Sequence, residues 1–160
     1  NDVDSMLKTF AATISVPRVV KPGEPIPVTG YAQAGVSGLS KVQVWIHLNA
    51  IERPADDRSF SSAPWSDAQV LAPPKHWDAL PDGKIPADTH GFDPATSQPR
   101  AWPMRLAKVH WAALLPGLPA GEYTLRSRTI DERGLAQPMP RPFAKSGHSA
   151  IEAMDITVKA

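Results

Sequence analysis

The sequence has no cysteine among its 160 residues. This absence excludes disulfide bonds, zinc–thiolate centres and thiol catalysis from the chain. No apolar run approaches the roughly 20 residues that a membrane-spanning helix needs. Charges of opposite sign nearly cancel to a net charge of +1, so no large field of one sign exists to recruit nucleic acid or an anionic membrane.

The chain also lacks the N-terminal signature of an exported precursor. It begins with Asn1 rather than methionine, and no basic, apolar leader follows. We therefore expect a fragment or a processed protein. Hydrophobic residues make up 42% and charged residues 21%, an ordinary globular mixture. This composition and length predict a single domain over residues 1–160.

Proline is what the chain has in excess, with 18 prolines against 10 glycines. Proline is costly inside helices, which favours strands joined by ordered loops. Alternation of apolar and polar residues predicts about seven strands. They fall at 6–16, 26–34, 40–49, 106–115, within 118–141, and at 150–158, with shorter pieces at 67–71 and 103–106. The pattern predicts an all-β, immunoglobulin-like sandwich of antiparallel strands.

The most informative segment is 118–141. Leu118, Gly121 and Tyr123 have the spacing of a tyrosine corner, the turn that feeds a central strand of an immunoglobulin-like sandwich. Alternating residues follow and predict a strand. The strand ends at a polar turn, 131–134, which closes with a glycine able to adopt a left-handed conformation.

Residues 50–104 form a long insertion within the predicted domain, rich in proline, aspartate, serine and alanine. Loops of this length are usually functional or mobile. Trp65, Trp77 and Trp102 indicate that much of this one packs down, because each would bury a large apolar area. Trp45 lies on the polar face of the 40–49 strand, and two interpretations stay open for it. It is either an exposed interface residue or covered by the insertion.

The polar residues suggest two further groups. Asp88, His90 and Asp93 could ligate a metal, but their spacing matches no motif and a solvated loop is the favoured interpretation. The other four of the five histidines are scattered without ligand spacing: His47, His76, His110 and His148. No Gly-x-Ser-x-Gly elbow or glycine-rich phosphate loop is present. We expect no catalytic, cofactor-binding or metal-binding residue in this chain.

A cationic group occupies the same region as the tyrosine corner. Its members are Arg126, Arg128, Arg133, Arg141 and Lys145. A solvated face with weak local ion pairs to Asp131 and Glu132 is the favoured interpretation. The sharper alternative is that these side chains grip an anion or a partner domain, because arginine binds oxyanions in a bidentate manner.

Taken together, these segments resemble the dimerisation domain of molybdenum-cofactor oxidoreductases, the C-terminal part of sulfite-oxidase-like enzymes. Residues 121–138 carry the strongest likeness, to the pattern Gly-x-Tyr-x-Leu-x-x-Arg-x-x-Asp, then Gly, then Gln-Pro. The looser pieces are 14–17, 26–32, 38–44, 65–68 and 147–158. The likeness covers most of the chain outside 50–104. The sequence departs from the family in the hairpin after the 40–49 strand. The family has Asp-Gly-Gly there, whereas this chain has residues 47–52 followed by the long insertion.

The resemblance implies a non-catalytic accessory role. Molybdopterin and its cysteine ligand would lie in a partner domain or subunit, and this domain would pack near the mouth of the active site and mediate a homodimer. We expect the parent enzyme to be periplasmic or otherwise exported. The residues expected to face a partner or an anion are Trp45, Arg126, Arg128, Asp131, Gln137, Arg141 and Lys145.

One alternative stays open at this point. Fold alone does not exclude a stand-alone immunoglobulin-like binding module for a glycan, peptide or protein. In that case the tryptophans of 50–104 would form the binding platform.

Overall fold

The computed structural model describes residues 9–51, 60–137 and 151–160, and its regular structure is all β. The strands are β1 (Thr9–Ser15), β2 (Val19–Val20), β3 (Ile26–Ala34), β4 (Leu39–Leu48), β5 (Ser66–Val70), β6 (Val109–Leu115), β7 (Gly121–Asp131) and β8 (Glu152–Val158). Short 3-10 turns occur at Gly35–Ser37 and Pro81–Gly83. None of the described helical turns is long and apolar enough to span a membrane.

The eight strands form one curled, mixed sheet in the order β1-β3-β6-β5-β4-β7-β8-β2. The sheet folds over a shared core, so that β1, β3 and β6 lie opposite β4, β7 and β8 as in a sandwich. β5 joins the two halves, pairing first with β4 and then with β6. Every pairing is antiparallel except that of β2 with β8. The predicted all-β sandwich is confirmed.

Period-two alternation builds the core, because successive strand residues point to opposite sides of a sheet. The inward residues of β3, β4 and β6 are almost fully buried: Ile26, Val28, Val42, Val44, Val109 and Trp111. Each such side chain stabilises the fold by about 1.5–3 kcal/mol through removal from water. Gly30 makes room for Trp111, because a Cβ at Gly30 would lie 2.3 Å from Cζ2 of the indole.

The structure departs from the predicted elements in two places. No strand forms at 103–106; Pro103 interrupts the segment and Leu106 adopts a left-handed φ of 64°. An additional strand, β2, brings the count to eight, and its two residues are too few to show a periodicity. In β1 the larger apolar side chains, Phe10 and Ile14, lie on the outer side with Ile14 exposed, whereas Ala11 enters the core. The inner side of β1 meets polar side chains of β7, which explains the need for a small residue there.

Candidate functional site

The predicted tyrosine corner is present at the start of β7. The hydroxyl of Tyr123 donates a hydrogen bond to the carbonyl oxygen of Pro119 at 3.0 Å, and the ring is buried. This bond ties the incoming loop to the strand that follows it. β7 lies between β4 and β8 in its half of the sheet. Arg126, Arg128 and Asp131 belong to this strand, whereas Gln137 follows the turn after it.

Arg126 and Arg128 lie on the outer face of β7, across from Trp45 and Gln43 of β4. The guanidinium of Arg126 lies 4.6 Å from the centroid of the Phe60 ring. That of Arg128 lies 4.2 Å from the centroid of Trp65. Both distances suit cation–π contact. We call Trp45, Phe60, Trp65, Arg126 and Arg128 the aromatic–arginine cluster.

The insertion covers Trp45, which resolves the two interpretations of that residue. Its side chain is only 8% exposed. The ring centroids of Phe60 and Trp65 lie 5.7 and 5.8 Å from that of Trp45. Aromatic rings packed at such distances exclude water from the sheet face. Trp45 is thus a packing residue between β4 and the insertion.

The three tryptophans of the 50–104 insertion form hydrogen bonds with the backbone of the insertion itself. The indole N–H groups of Trp65, Trp77 and Trp102 each donate to a main-chain carbonyl oxygen at 2.8 Å. Their rings are half-buried. A binding platform would present such rings flat to solvent, whereas these are engaged within the domain. Their arrangement indicates a structural role.

Polar contacts extend the cluster across three strands. Nε and Nη2 of Arg128 donate to Oε1 of Gln43 at 3.0 and 2.8 Å. The amide of Gln43 donates in turn to Asp67 at 2.8 Å, and Nζ of Lys41 lies 2.9 Å from the same carboxylate. The hydrogen bond from Gln43, followed by that from Lys41, holds the pKa of Asp67 below its ordinary value. The chain of bonds joins β7, β4 and β5.

Besides its contact with the Phe60 ring, Arg126 makes a polar contact on this face. Its Nη1 lies 2.5 Å from Nε2 of His47. Arginine can only donate, so Nε2 of His47 acts as the acceptor and the ring proton sits on Nδ1. Nδ1 faces the carbonyl oxygen of Leu48 at 3.3 Å. His47 also packs on Trp45, with 4.5 Å between the ring centroids.

Asp131 is fully buried and organises the turn after β7. One carboxylate oxygen accepts from the backbone amides of Arg133 and Leu135 at 3.0 and 2.8 Å. The other accepts from Nε of Arg133 at 2.9 Å. Burial alone would raise the pKa of Asp131, but the hydrogen bonds from Leu135 and Arg133 outweigh it and lower that pKa below its ordinary value. The role of Asp131 is therefore to stabilise the turn by accepting these hydrogen bonds.

Gln137 is also buried, and it joins β1 to β7. Its side-chain oxygen accepts from the backbone amides of Ala11 and Thr129 at 3.1 and 3.3 Å. The hydroxyl of Ser127 donates to the carbonyl oxygen of Ala11 at 3.2 Å. Within the described part of the chain no strand pairs with this edge of β1, and these side chains bind its backbone groups there. No sequence pattern signals this role, because Ala11 and Gln137 are 126 positions apart.

The seven candidate interface residues therefore fall into three groups. Trp45, Asp131 and Gln137 are buried and used inside the domain, so we no longer assign them to a partner surface. Arg126 and Arg128 are half-buried on the outer face. Arg141 and Lys145 lie outside the described residues. Sequence reasoning missed Phe60 and Gln43, whose positions depend on contacts distant along the chain.

The candidate metal ligands do not converge. Asp88 and His90 are exposed, whereas one oxygen of Asp93 accepts from the backbone amides of Ala95 and Thr96 at 2.9 and 3.0 Å. These two bonds lower the pKa of Asp93. Across residues 9–51, 60–137 and 151–160, no group of three or more His, Asp or Glu side chains is placed to hold a metal ion. The favoured loop interpretation fits this geometry.

Three exposed apolar residues lie on segments whose backbones are hydrogen-bonded to one another near the 131–135 turn. We call Val36, Leu106 and Leu135 the apolar end. The amide of Leu106 donates to the carbonyl oxygen of Gly35 at 3.3 Å, which places Leu106 beside Val36. Arg105 links this segment to the turn, because its Nη2 lies 2.5 Å from the carboxylate of Glu132.

Comparisons with known proteins add no identification. No family model matches the chain, and none of the curated proteins matches it.

Proposed function

We propose that this chain is a non-catalytic dimerisation and accessory domain of a sulfite-oxidase-like molybdopterin oxidoreductase. The molybdenum and its molybdopterin belong to a partner domain or subunit, and this domain packs near the mouth of that active site. We assign the parent enzyme to the periplasm or another exported location. The proposal rests on the 121–138 signature and on the work that its residues perform.

The observation that carries the proposal is the concentration of fold-determining contacts in that signature. Tyr123 closes the corner, Asp131 organises the turn, and Gln137 joins β1 to β7. Gly134, at the same turn, has a φ of 81°, a conformation that suits glycine. The resemblance in sequence thus involves positions that have physical tasks in this fold, and it supports a common architecture.

The apolar end is the surface that we assign to dimerisation of this domain. Val36, Leu106 and Leu135 provide exposed apolar area, and Arg105 and Arg133 lie beside them with largely exposed side chains. An apolar centre with a charged rim is the usual anatomy of a protein interface. The 131–135 turn lies within the family signature, which connects this surface to the resemblance.

Sedimentation velocity over a concentration series tests the surface. We expect concentration-dependent dimerisation of the wild-type chain. Leu106→Asp should raise the dissociation constant at least about tenfold, because a carboxylate would lose its hydration at the interface. Leu114→Asp is the matched control, since Leu114 is exposed at the opposite end of β6. A monomer at every concentration, or equal effects of the two substitutions, would overturn this assignment.

A further inference from the structure

β3 pairs with the whole of β6 on one side, but on the other side part of β6 has no paired strand among the described residues. β5 pairs with β6 only through Gln69 with Ala112 and Val70 with Trp111. The amide of Leu71 donates to the carbonyl oxygen of His110 at 2.8 Å, which shows that His110 turns its backbone groups toward β5. Backbone direction alternates along an antiparallel strand, so Ala112 and Leu114 turn theirs the same way.

Continuation of this register would pair Asp67 with Leu114, but the ladder stops two residues earlier, at Gln69 and Ala112. On its other edge β5 remains paired with β4 at this point, where Asp67 lies opposite Gln43. β5 and β6 diverge from this point onward. A groove of about 520 Å³ occupies the gap. We call it the edge groove; its walls include Pro27, Ser66, Asp67, Gln69, Leu114 and Pro116.

The groove has the properties of a strand-accepting edge. The N–H and C=O groups of Leu114 point into it, and by the same alternation so do those of Asp67. The side chain of Leu114 is 71% exposed, an unusual state for leucine on a sheet. Natural sheets usually protect such an edge with charge, proline or a covering loop. Here the described chain places an exposed leucine at it.

The charge of the residues that line the edge groove indicates which class of ligand complements it. Among the described residues that line the groove, Asp67 is the one with an ionisable side chain. It pairs with Lys41, yet its side chain remains 55% exposed and a second cation can approach it. The remaining lining is largely apolar or neutral. A basic side chain would therefore complement the groove, and an acidic one would not.

We propose that the edge groove binds an extended peptide, which adds a strand along the 113–115 edge of β6. An apolar side chain of the peptide packs on Leu114, and a lysine or arginine lies near Asp67. Main-chain hydrogen bonds supply the affinity in this mode of recognition, and side-chain pockets supply the selectivity. This binding activity goes beyond the proposed association and does not depend on it.

The test begins with a displayed library of random dodecapeptides, selected on the full chain. Selected sequences are synthesised as blocked peptides, together with versions that are N-methylated at alternate residues. Backbone amide signals are then followed by NMR during titration. We expect apolar residues at alternating positions with one basic residue, and shifts confined to 112–115 and 66–69. N-methylation should weaken binding at least about tenfold, because it removes edge hydrogen bonds.

Two variants complete the design. Leu114→Pro removes the one N–H that points into the groove from this position, and it should weaken binding to a similar extent. Ile14→Asp, at an exposed position of β1, should leave peptide binding unchanged. The N-methylated peptides need no variant, so the test stands even if Leu114→Pro fails to fold. Binding that tolerates N-methylation, or a selection that yields no peptide shifting the Leu114 amide, would overturn the proposal.

Discussion

The side-chain oxygen of Gln137 accepts a hydrogen bond from the backbone amide of Ala11 at 3.1 Å. The glutamine thereby satisfies the edge of a strand that pairs on its other side with β3. The same oxygen accepts from the amide of Thr129, so one carbonyl group serves β1 and β7 together. This contact joins the two halves of the sandwich in their buried interior, where a lost partner is expensive.

Gln137→Ala should lower the free energy of unfolding by about 2–4 kcal/mol. The substitution leaves the amides of Ala11 and Thr129 buried without this acceptor and also creates a cavity. Urea unfolding followed by tryptophan fluorescence measures the change. Gln69→Ala, at an exposed position, is the control and should cost less than about 0.5 kcal/mol. Similar effects of both substitutions would show that the glutamine does not join the strands.

Tyr123→Phe tests the tyrosine corner. Loss of the hydroxyl removes its bond to Pro119 and should cost about 1–2 kcal/mol while the buried ring stays in place. The unfolding midpoint in urea provides the readout. Tyr31→Phe is the matched control, because the Tyr31 ring packs on Phe10 at the half-buried outer face. We expect less than about 0.5 kcal/mol there, and an equal loss at the two tyrosines would count against the corner.

Much of the fold could be predicted because its signals are local. The tyrosine corner depends on three positions within six residues, Leu118 to Tyr123. The 26–34 segment became β3 with the same bounds, since its alternation is set by neighbouring residues. β2 escaped prediction because its pairing with β8 joins residues 138 positions apart, from Val19 to Thr157. A strand of two residues is too short to show the apolar–polar alternation that predicts a strand.

The site was harder to predict than the fold. Alternation placed Trp45 correctly on the outer face of β4, but could not show that Phe60 and Trp65 cover that face. Likewise, the polarity of Asp131 and Gln137 suggested solvent or a partner. Their burial depends on hydrogen-bond donors that the fold brings to them. A polar side chain can be exposed or buried with partners, and sequence patterning does not separate these states.

Asp131→Asn should remove a pH-dependent part of the stability. The pKa of Asp131 is lowered in the folded state from an ordinary value of 3.8, so its contribution is present above that value and declines as pH falls through the lower folded pKa. At neutral pH we expect a loss of about 2 kcal/mol, since an amide nitrogen would face Arg133.

Urea unfolding of both proteins between pH 7 and pH 2.5 measures this dependence. The difference between them should be constant at neutral pH and shrink below about pH 3.8. Asp67→Asn is the comparison, because the exposed Lys41 pair should contribute no more than about 1 kcal/mol. A difference that grows on acidification would contradict the role assigned to Asp131.

Arg128→Lys separates charge from geometry in the aromatic–arginine cluster. Lysine retains the positive charge but cannot reproduce the two bonds to Gln43 or the planar contact with Trp65. We expect a loss of about 1–2 kcal/mol and altered tryptophan fluorescence. Arg105→Lys, in an exposed pair with Glu132, should cost less than about 0.5 kcal/mol. Equal costs would mean that the charge alone matters at Arg128.

The most direct measurement mixes this chain with the molybdopterin-bearing domain of a sulfite-oxidase-like enzyme from the same organism. Sedimentation velocity then follows the two components by protein absorbance and by molybdopterin absorbance. We predict that they sediment together as one species and that the chain alone does not oxidise sulfite. Independent sedimentation at every concentration, or sulfite oxidation by this chain alone, would contradict it.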